Sequence, residues 1–196
     1  AMLMLGFPFV IVLLGPILGY LGINMPNMNL QVVIQQIING FVPPALVCVP
    51  MFILAADIMT RGHTAYNLLG LIQAFVGHLR GGLPITTCIS CTLFGSVSGS
   101  TQATVVSVGQ IMRPKLLQAG YKDSFVMALI INASDIAFLI PPSIGMIIYG
   151  VISSTSISEL FIAGVGPGLL LMVLFSAYSW FYATINKVPT EPKASW

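Results

Sequence analysis

Residues 83–112 (LPITTCISCTLFGSVSGSTQATVVSVGQIM) contain no charged side chain, and the run Gly95-Ser96-Val97-Ser98-Gly99-Ser100-Thr101 lies at their middle. Arg80 precedes the stretch; Arg113 and Lys115 follow it. One straight helix through these residues is long enough to span a bilayer. A helical hairpin that enters the membrane, turns at the Ser/Gly run and leaves on the same side fits better. Each arm then has about 14 residues, roughly 21 Å, against a hydrocarbon core of roughly 30 Å. Neither arm crosses, and the flanking basic residues stay together on the cytoplasmic face, where Lys and Arg concentrate. The turn is then placed inside the membrane. Irregular backbone survives there only when buried in protein or lining a polar cavity.

Composition bounds the class. The chain has 196 residues, of which 57% are hydrophobic and 6% charged, with a mean hydropathy of +0.98. A soluble domain is about a quarter charged, so this composition is that of an integral membrane protein. The net charge of +2 says little about partners. No basic patch or stripe supports nucleic-acid binding. Cys48, Cys88 and Cys91 lie in apolar surroundings. Cys88 and Cys91 have CxxC-like spacing, but without a second ligand pair they read as small buried residues.

Residues 1–56 carry no charge. Residues 2–23 read as a membrane span containing Pro8 and Pro16, and residues 24–29 as an interfacial turn. Residues 30–39 form a short helix with Gln31, Gln35 and Gln36 on a polar side, broken at residues 40–44. Residues 45–59 are apolar but short for a span, which makes continuity with the preceding helix a reading to test. Residues 65–79 repeat Leu68, Leu69, Ile72, Phe75, Val76 and Leu79 at helical spacing, as an amphipathic interfacial or bracing helix does. Gly81-Gly82 stops it, and Pro84 suits the start of the next helix. After the hairpin, residues 113–123 read as a cytoplasmic connection. Residues 124–158 then run for 35 positions with Asp135 as the single charge before Glu159. A straight helix of that length is roughly 52 Å, too long for a bilayer. Pro141-Pro142 forbids it in any case. Two half-helices over residues 124–134 and 143–153 are expected, joined at membrane depth by an irregular link over 135–142. Residues 160–185 form the last span, with an aromatic belt of Tyr178, Trp180, Phe181 and Tyr182. The opening at Ala1 and the polar tail over 187–196 are those expected of an excerpt from a longer polypeptide. Apolar sequence continues far beyond the h-region of a signal peptide.

Two irregular stretches at membrane depth therefore stand out: the tip Ser98-Gly99-Ser100-Thr101 and the link over 132–143. Unwound carbonyls and half-helix C-termini suit Na⁺, and half-helix N-termini suit anionic groups. Hydroxyls add hard oxygen ligands. The competing reading is that Ser and Gly permit close helix packing. Asp135 is the acidic residue deep in the apolar region and can ligate a cation, carry a proton or cap a half-helix. Asp57 and Arg61 are spaced for an interfacial ion pair, and His63 and His78 read as interfacial. No nucleophile–base pair, phosphate loop or haem motif supports an enzyme. Three roles remain: an ion-coupled carrier, a channel whose re-entrant loop is a filter, and a non-transporting assembly subunit.

Five motifs in order carry a resemblance: PMFILAADIMTRG (50–62), GHLRGGLP (77–84), LFGSVSGSTQATVVSVG (93–109), Pro114-x₅-Gly120-Tyr121, and LIPPSIGMIIYG (139–150). Over residues 6–196 the chain resembles the first half of the large membrane subunit of tripartite ATP-independent periplasmic (TRAP) transporters. The resemblance implies an all-α polytopic membrane protein with an ion-transporter-like elevator fold, this chain being one inverted-repeat half with a re-entrant hairpin and a broken transmembrane helix. It implies scaffold helices over 1–62, an arm helix over 63–82, a transport domain over 83–112 and 113–158, a transmembrane helix over 159–186, and a cytoplasmic linker over 187–196. The implied partners are a small four-helix membrane subunit, a periplasmic substrate-binding protein, the second half of the large subunit and the lipid bilayer, in the bacterial inner membrane. No cofactor is implied beyond Na⁺ as coupling ion. Ser98, Gly99, Ser100, Thr101, Asn132, Ser134 and Asp135 are the expected sodium set. Ser96, Ser100, Thr101, Pro141, Pro142 and Ser143 are the expected solute-cavity set. The run Asn132-Ala133-Ser134-Asp135 departs from the small residues of many relatives, and SDIAFLIPPS leans toward the sialic-acid branch over C4-dicarboxylates. A related carrier working without a binding protein is the alternative.

Overall fold

The computed structural model describes residues 6–24, 29–41, 43–61, 64–186 and 188, and among them the secondary structure is helical with no strand. The chain divides into two compact units, residues 1–43 and 44–196.

The first unit holds α1 (Phe9–Asn24) and α2 (Leu30–Phe41). The span expected over 2–23 is helical from Phe9, directly after Pro8, and contains Pro16. Its first residues, and residues 25–28 of the expected turn, lie outside the described residues. α2 runs two residues past the expected end, through Gly40 to Phe41.

The second unit holds α3 (Pro44–Arg61), α4 (Thr64–Val76), α5 (Gly82–Ser98), α6 (Thr101–Gln118), α7 (Asp123–Ser134), a 3₁₀ turn (Asp135–Phe138), α8 (Ile144–Ser153) and α9 (Ile157–Ile185). Its centre is α5, which packs against α3, α4, α6, α7, the 3₁₀ turn and α9. Phe94, Cys88 and Cys91 of α5 are fully buried with Met112 and Leu116 of α6 and Val126 and Ala133 of α7. α9 is the one helix among the described residues long and apolar enough to cross a bilayer by itself.

Several boundaries differ from the sequence reading. The second hairpin arm does not end at Met112 but continues through Arg113, Pro114 and Lys115 to Gln118. Pro114 and Gln110 are both exposed, so the carbonyl freed by the missing N–H is not trapped in the interior. α4 ends at Val76, and its buried face is Ala65, Leu69 and Ile72. Phe75 and Leu79, expected in the apolar stripe, are exposed. Both sides of α4 are apolar at several positions, which a lipid surrounding tolerates and water does not. The link after α7 is not irregular throughout: Asp135–Phe138 keep a 3₁₀ turn before Pro141-Pro142. The tail (apart from Val188), His63 and the Arg61 side chain lie outside what is described, so the expected Asp57–Arg61 pair does too.

Candidate functional site

α5 and α6 form a helical hairpin joined by Gly99 and Ser100 alone. Gly99 has φ +61° and ψ +10°, and its N–H donates to the Gly95 carbonyl at 2.8 Å. That left-handed C-cap is the reason for glycine here. A Cβ at Gly99 would also stand 2.8 Å from the Pro142 carbonyl oxygen. Ser100 is the N-cap of α6, its Oγ accepting from the Ala103 N–H at 3.5 Å and donating to Gln102 Oε1 at 3.1 Å. Thr104 Oγ1 donates to the Ser100 carbonyl at 2.9 Å, and Ser98 Oγ lies 3.2 Å from Thr104 Oγ1.

The tip touches the break. The Ile144 N–H donates to the Gly99 carbonyl at 3.3 Å. Ser143, fully buried, caps α8 by accepting from the Met146 N–H at 3.4 Å. Three helix ends therefore meet: the C-terminus of α5 and the N-termini of α6 and α8. The partial charges there are negative at the first and positive at the other two. Below the tip, a Cβ on Gly95 would stand 2.6 Å from the Ala137 Cβ, so the first arm lies almost directly on the 3₁₀ turn.

Among the described residues, Thr101 Oγ1 is a buried hydroxyl with no hydrogen-bond partner, as are those of Thr86, Ser90 and Ser179, and of these it is the one at the tip. It sits in the first turn of α6, beside the tip and the break. A buried polar atom without a partner is costly unless something else supplies the interaction.

The structure brings Ser98, Gly99, Ser100, Thr101, Pro142 and Ser143 together and leaves others apart. Ser134 is fully buried and donates to Cys91 Sγ at 3.5 Å, facing α5. Asn132 of α7 and Asp135 of the 3₁₀ turn are exposed instead, and Asn132 Nδ2 donates to the Ala128 carbonyl at 2.7 Å. The trio Asn132, Ser134 and Asp135 therefore does not converge on one ion. Ser96 is half-buried and donates to the Leu93 carbonyl at 2.7 Å. Sequence reasoning did not single out Thr104, and it named Gly95 only as the start of the Ser/Gly run. Their signals were helical spacings: Thr104 lies four residues after Ser100, and Gly95 four before Gly99. Cys88 and Cys91 are buried free thiols, as expected of small packing residues. Among the described residues no group of three His, Cys, Asp or Glu side chains is placed to hold a metal ion.

A second concavity of about 330 Å³ lies between α7 and α9, lined by Phe125, Asn132, Phe175, Tyr178 and Tyr182 among others. Phe125 and Tyr182 stack with ring centroids 3.9 Å apart. Of the α7 residues lining this groove, Asn132 is the one nearest the break.

The family model described as "Tripartite ATP-independent periplasmic transporter, DctM component" matches residues 1–196. The chain is 62% identical over 196 residues to the large permease protein of the ectoine/5-hydroxyectoine TRAP transporter of Ruegeria pomeroyi, covering all of this chain and 46% of that protein. It is 60% identical over 196 residues to the ectoine TRAP transporter large permease protein of Halomonas elongata, again covering all of the chain and 46% of the relative. It is 41% identical over 150 residues to the C4-dicarboxylate TRAP transporter large permease protein of Pseudomonas aeruginosa, covering 76% of this chain and 35% of that protein. The chain thus spans about half the length of the two ectoine-named relatives. All three relatives are named as transporter permease proteins, not as enzymes, and none for sialic acid.

Proposed function

We propose a sodium-coupled carrier role for this chain, which belongs to the DctM component family of tripartite ATP-independent periplasmic transporters. In this reading the chain is half of a large permease in a bacterial inner membrane. It works with a small four-helix membrane subunit and a periplasmic binding protein, and moves solute by an elevator motion. Na⁺ binds at the hairpin tip, using the Thr101 hydroxyl, the Ser98 and Ser100 hydroxyls and backbone carbonyls at the end of α5. The N-termini of α6 and α8 favour an anionic group of the solute nearby.

The observation that carries the reading is the buried, unpartnered Thr101 Oγ1 at a tip that is hydrogen-bonded to the broken helix through Ile144 and Gly99. Re-entry of the hairpin is supported by length. The uncharged part of α6, residues 101–112, is roughly 18 Å long, and all of α5 is roughly 26 Å, against a hydrocarbon core of roughly 30 Å.

The names of the relatives move the proposed solute from sialic acid to ectoine-like compatible solutes. Such a solute is a zwitterion with no net charge. One Na⁺ per solute then makes uptake electrogenic, worth about 2.3 kcal/mol per 100 mV; a monoanion needs two.

The test is uptake of ectoine by proteoliposomes holding the full-length permease, its small subunit and its binding protein. An imposed Na⁺ gradient is compared with an equal K⁺ gradient. Uptake is expected with Na⁺ alone, and Thr101→Val is expected to raise the Na⁺ concentration for half-maximal uptake by about tenfold, the loss of roughly one charge-assisted contact. Equal uptake in the K⁺ gradient would falsify the coupling.

A further inference from the structure

Asp135 is the acidic residue between Asp123 and Glu159, in the middle of the broken helix. It is exposed, and among the described residues its carboxylate makes no hydrogen bond and no ion pair. A carboxylate left to lipid at that depth is disfavoured strongly enough that intramembrane acids face a cavity or a partner charge. The partner is not at the hairpin tip. The next two residues, Ile136 and Ala137, are fully buried, and Ala137 lies against Gly95 of α5, so the packed side of the 3₁₀ turn is the other one.

Two neighbours share the open side. In a 3₁₀ turn, residues three apart lie on the same side, which places Phe138 on the side of Asp135; Phe138 is 43% exposed, and one edge of its ring lies against Gly145 of α8. One turn earlier stands Asn132, the residue of α7 nearest the break that lines the α7–α9 groove. An aromatic face beside a free carboxylate suits a flat, delocalised cation, which is attracted by the ring quadrupole and by the charge together. It suits Na⁺ less, since a small hard ion seeks several converging oxygens.

We infer that Asp135, with Phe138 beside it, receives the cationic end of a zwitterionic solute such as the ring amidinium of ectoine, and so selects that solute class over dianionic C4-dicarboxylates. This inference rests on the carrier reading above. Asp135 is then a specificity-determining residue of the solute cavity and not a sodium ligand.

The experiment uses the same reconstituted full-length transporter and measures ectoine uptake against ectoine concentration at saturating Na⁺, with succinate as the competing dianion. Asp135→Asn is expected to lower kcat/KM for ectoine at least tenfold, chiefly through KM, with the half-saturating Na⁺ concentration unchanged. Asp135→Glu, which keeps the charge, is expected to retain uptake within about threefold of wild type. Phe138→Leu is expected to raise KM severalfold. An unchanged ectoine KM in Asp135→Asn overturns the inference and leaves the carrier reading standing. So does a shift of the Na⁺ requirement in step with KM, which would make Asp135 an ion ligand. So does an Asp135→Glu protein as inactive or as poorly assembled as Asp135→Asn, which would make the position structural. Failure of the wild-type transporter to take up ectoine, with succinate uptake intact, overturns the solute assignment itself.

Discussion

α5 and α9 are both apolar helices of the second unit, and they solve opposite problems. Twelve of the seventeen residues of α5 are buried, including Thr86, Thr87, Ser90, Thr92 and Ser98. In α9, only Gly164, Gly168, Ser179 and Ala183 of twenty-nine are buried, while Leu169, Leu170, Val173 and Leu174 face outward. In water the more apolar helix would be the core. Here the hydroxyl-bearing helix is the core, because lipid gives apolar side chains no reason to hide and gives polar ones every reason to. The hydroxyls of α5 are partly satisfied within the helix. Thr87 Oγ1 donates to the Leu83 carbonyl and Thr92 Oγ1 to the Cys88 carbonyl, each at 2.9 Å.

The sharpest way to break this contrast is to truncate one phenylalanine on each helix of the full-length permease in detergent. Phe94→Ala, at a fully buried position of α5, is expected to cost about 3–5 kcal/mol of unfolding free energy. Phe181→Ala, 57% exposed on α9, is expected to stay within about 0.5 kcal/mol. A comparable loss at both would mean that the outer face of α9 is covered in the assembled transporter.

Two glycines on α9 give the next largest effect. A Cβ at Gly164 would collide with the Leu139 carbonyl and Met146, whereas a Cβ at Gly166 meets nothing within 4 Å. Gly164→Ala is expected to destabilise by about 1–3 kcal/mol through overpacking. Gly166→Ala is expected to be neutral or slightly stabilising, since alanine favours a helix by about 1 kcal/mol over glycine. Thermal unfolding distinguishes them, and equal midpoints would refute the seating of Leu139 on α9.

Within α5 the hydroxyls should divide. Ser98→Ala removes the contact with Thr104 and is expected to cost about 1 kcal/mol. Thr86 Oγ1 is buried without a partner among the described residues, so Thr86→Val is expected to be neutral or stabilising by up to about 1 kcal/mol. A clear loss in Thr86→Val would reveal a bound water or ion.

The smallest effect lies at the connection between α6 and α7. The Tyr121 phenol is pushed up from 10.0 to about 12, first by burial and then by Tyr182. The folded state therefore keeps a proton that the unfolded chain releases between those values. Stability from this group is complete below pH 10 and is lost as pH rises toward 12. Comparing phenolate absorbance of wild type and Tyr121→Phe along an alkaline titration should place this tyrosine in the last step. The nearby Arg113–Asp123 ion pair has two 3.1 Å hydrogen bonds but is exposed, so Arg113→Gln is expected to leave uptake within about twofold.

The backbone interruptions that frame the candidate site were legible in the sequence. The Ser/Gly run had to be a turn because two uncharged arms flank it, and Pro141-Pro142 had to end a helix. Proline and glycine act through the local backbone, so one-dimensional reading finds them. What resisted were orientations. Asn132, Ser134 and Asp135 look like one polar cluster in a row, but an α-helix turns about 100° per residue and puts Ser134 on the far side. The extension of α6 past Pro114 was hidden for a related reason. A proline breaks a helix or merely dents it according to whether the freed carbonyl has somewhere to go, and that depends on exposure.

The sequence by itself determined that the chain is a helical membrane protein, where its helices are interrupted, and which family it belongs to. These follow from composition, from backbone-restricting residues and from short motifs, none of which needs a partner in space. Only the tertiary structure decided that the tip at Gly99 meets the break at Ile144, that α5 is the core, and that Asp135 faces away from the hairpin. Those depend on which helix faces pack. In a bilayer both the inner and outer faces can be apolar, so hydrophobic periodicity, the usual guide to the buried face, carries little information there.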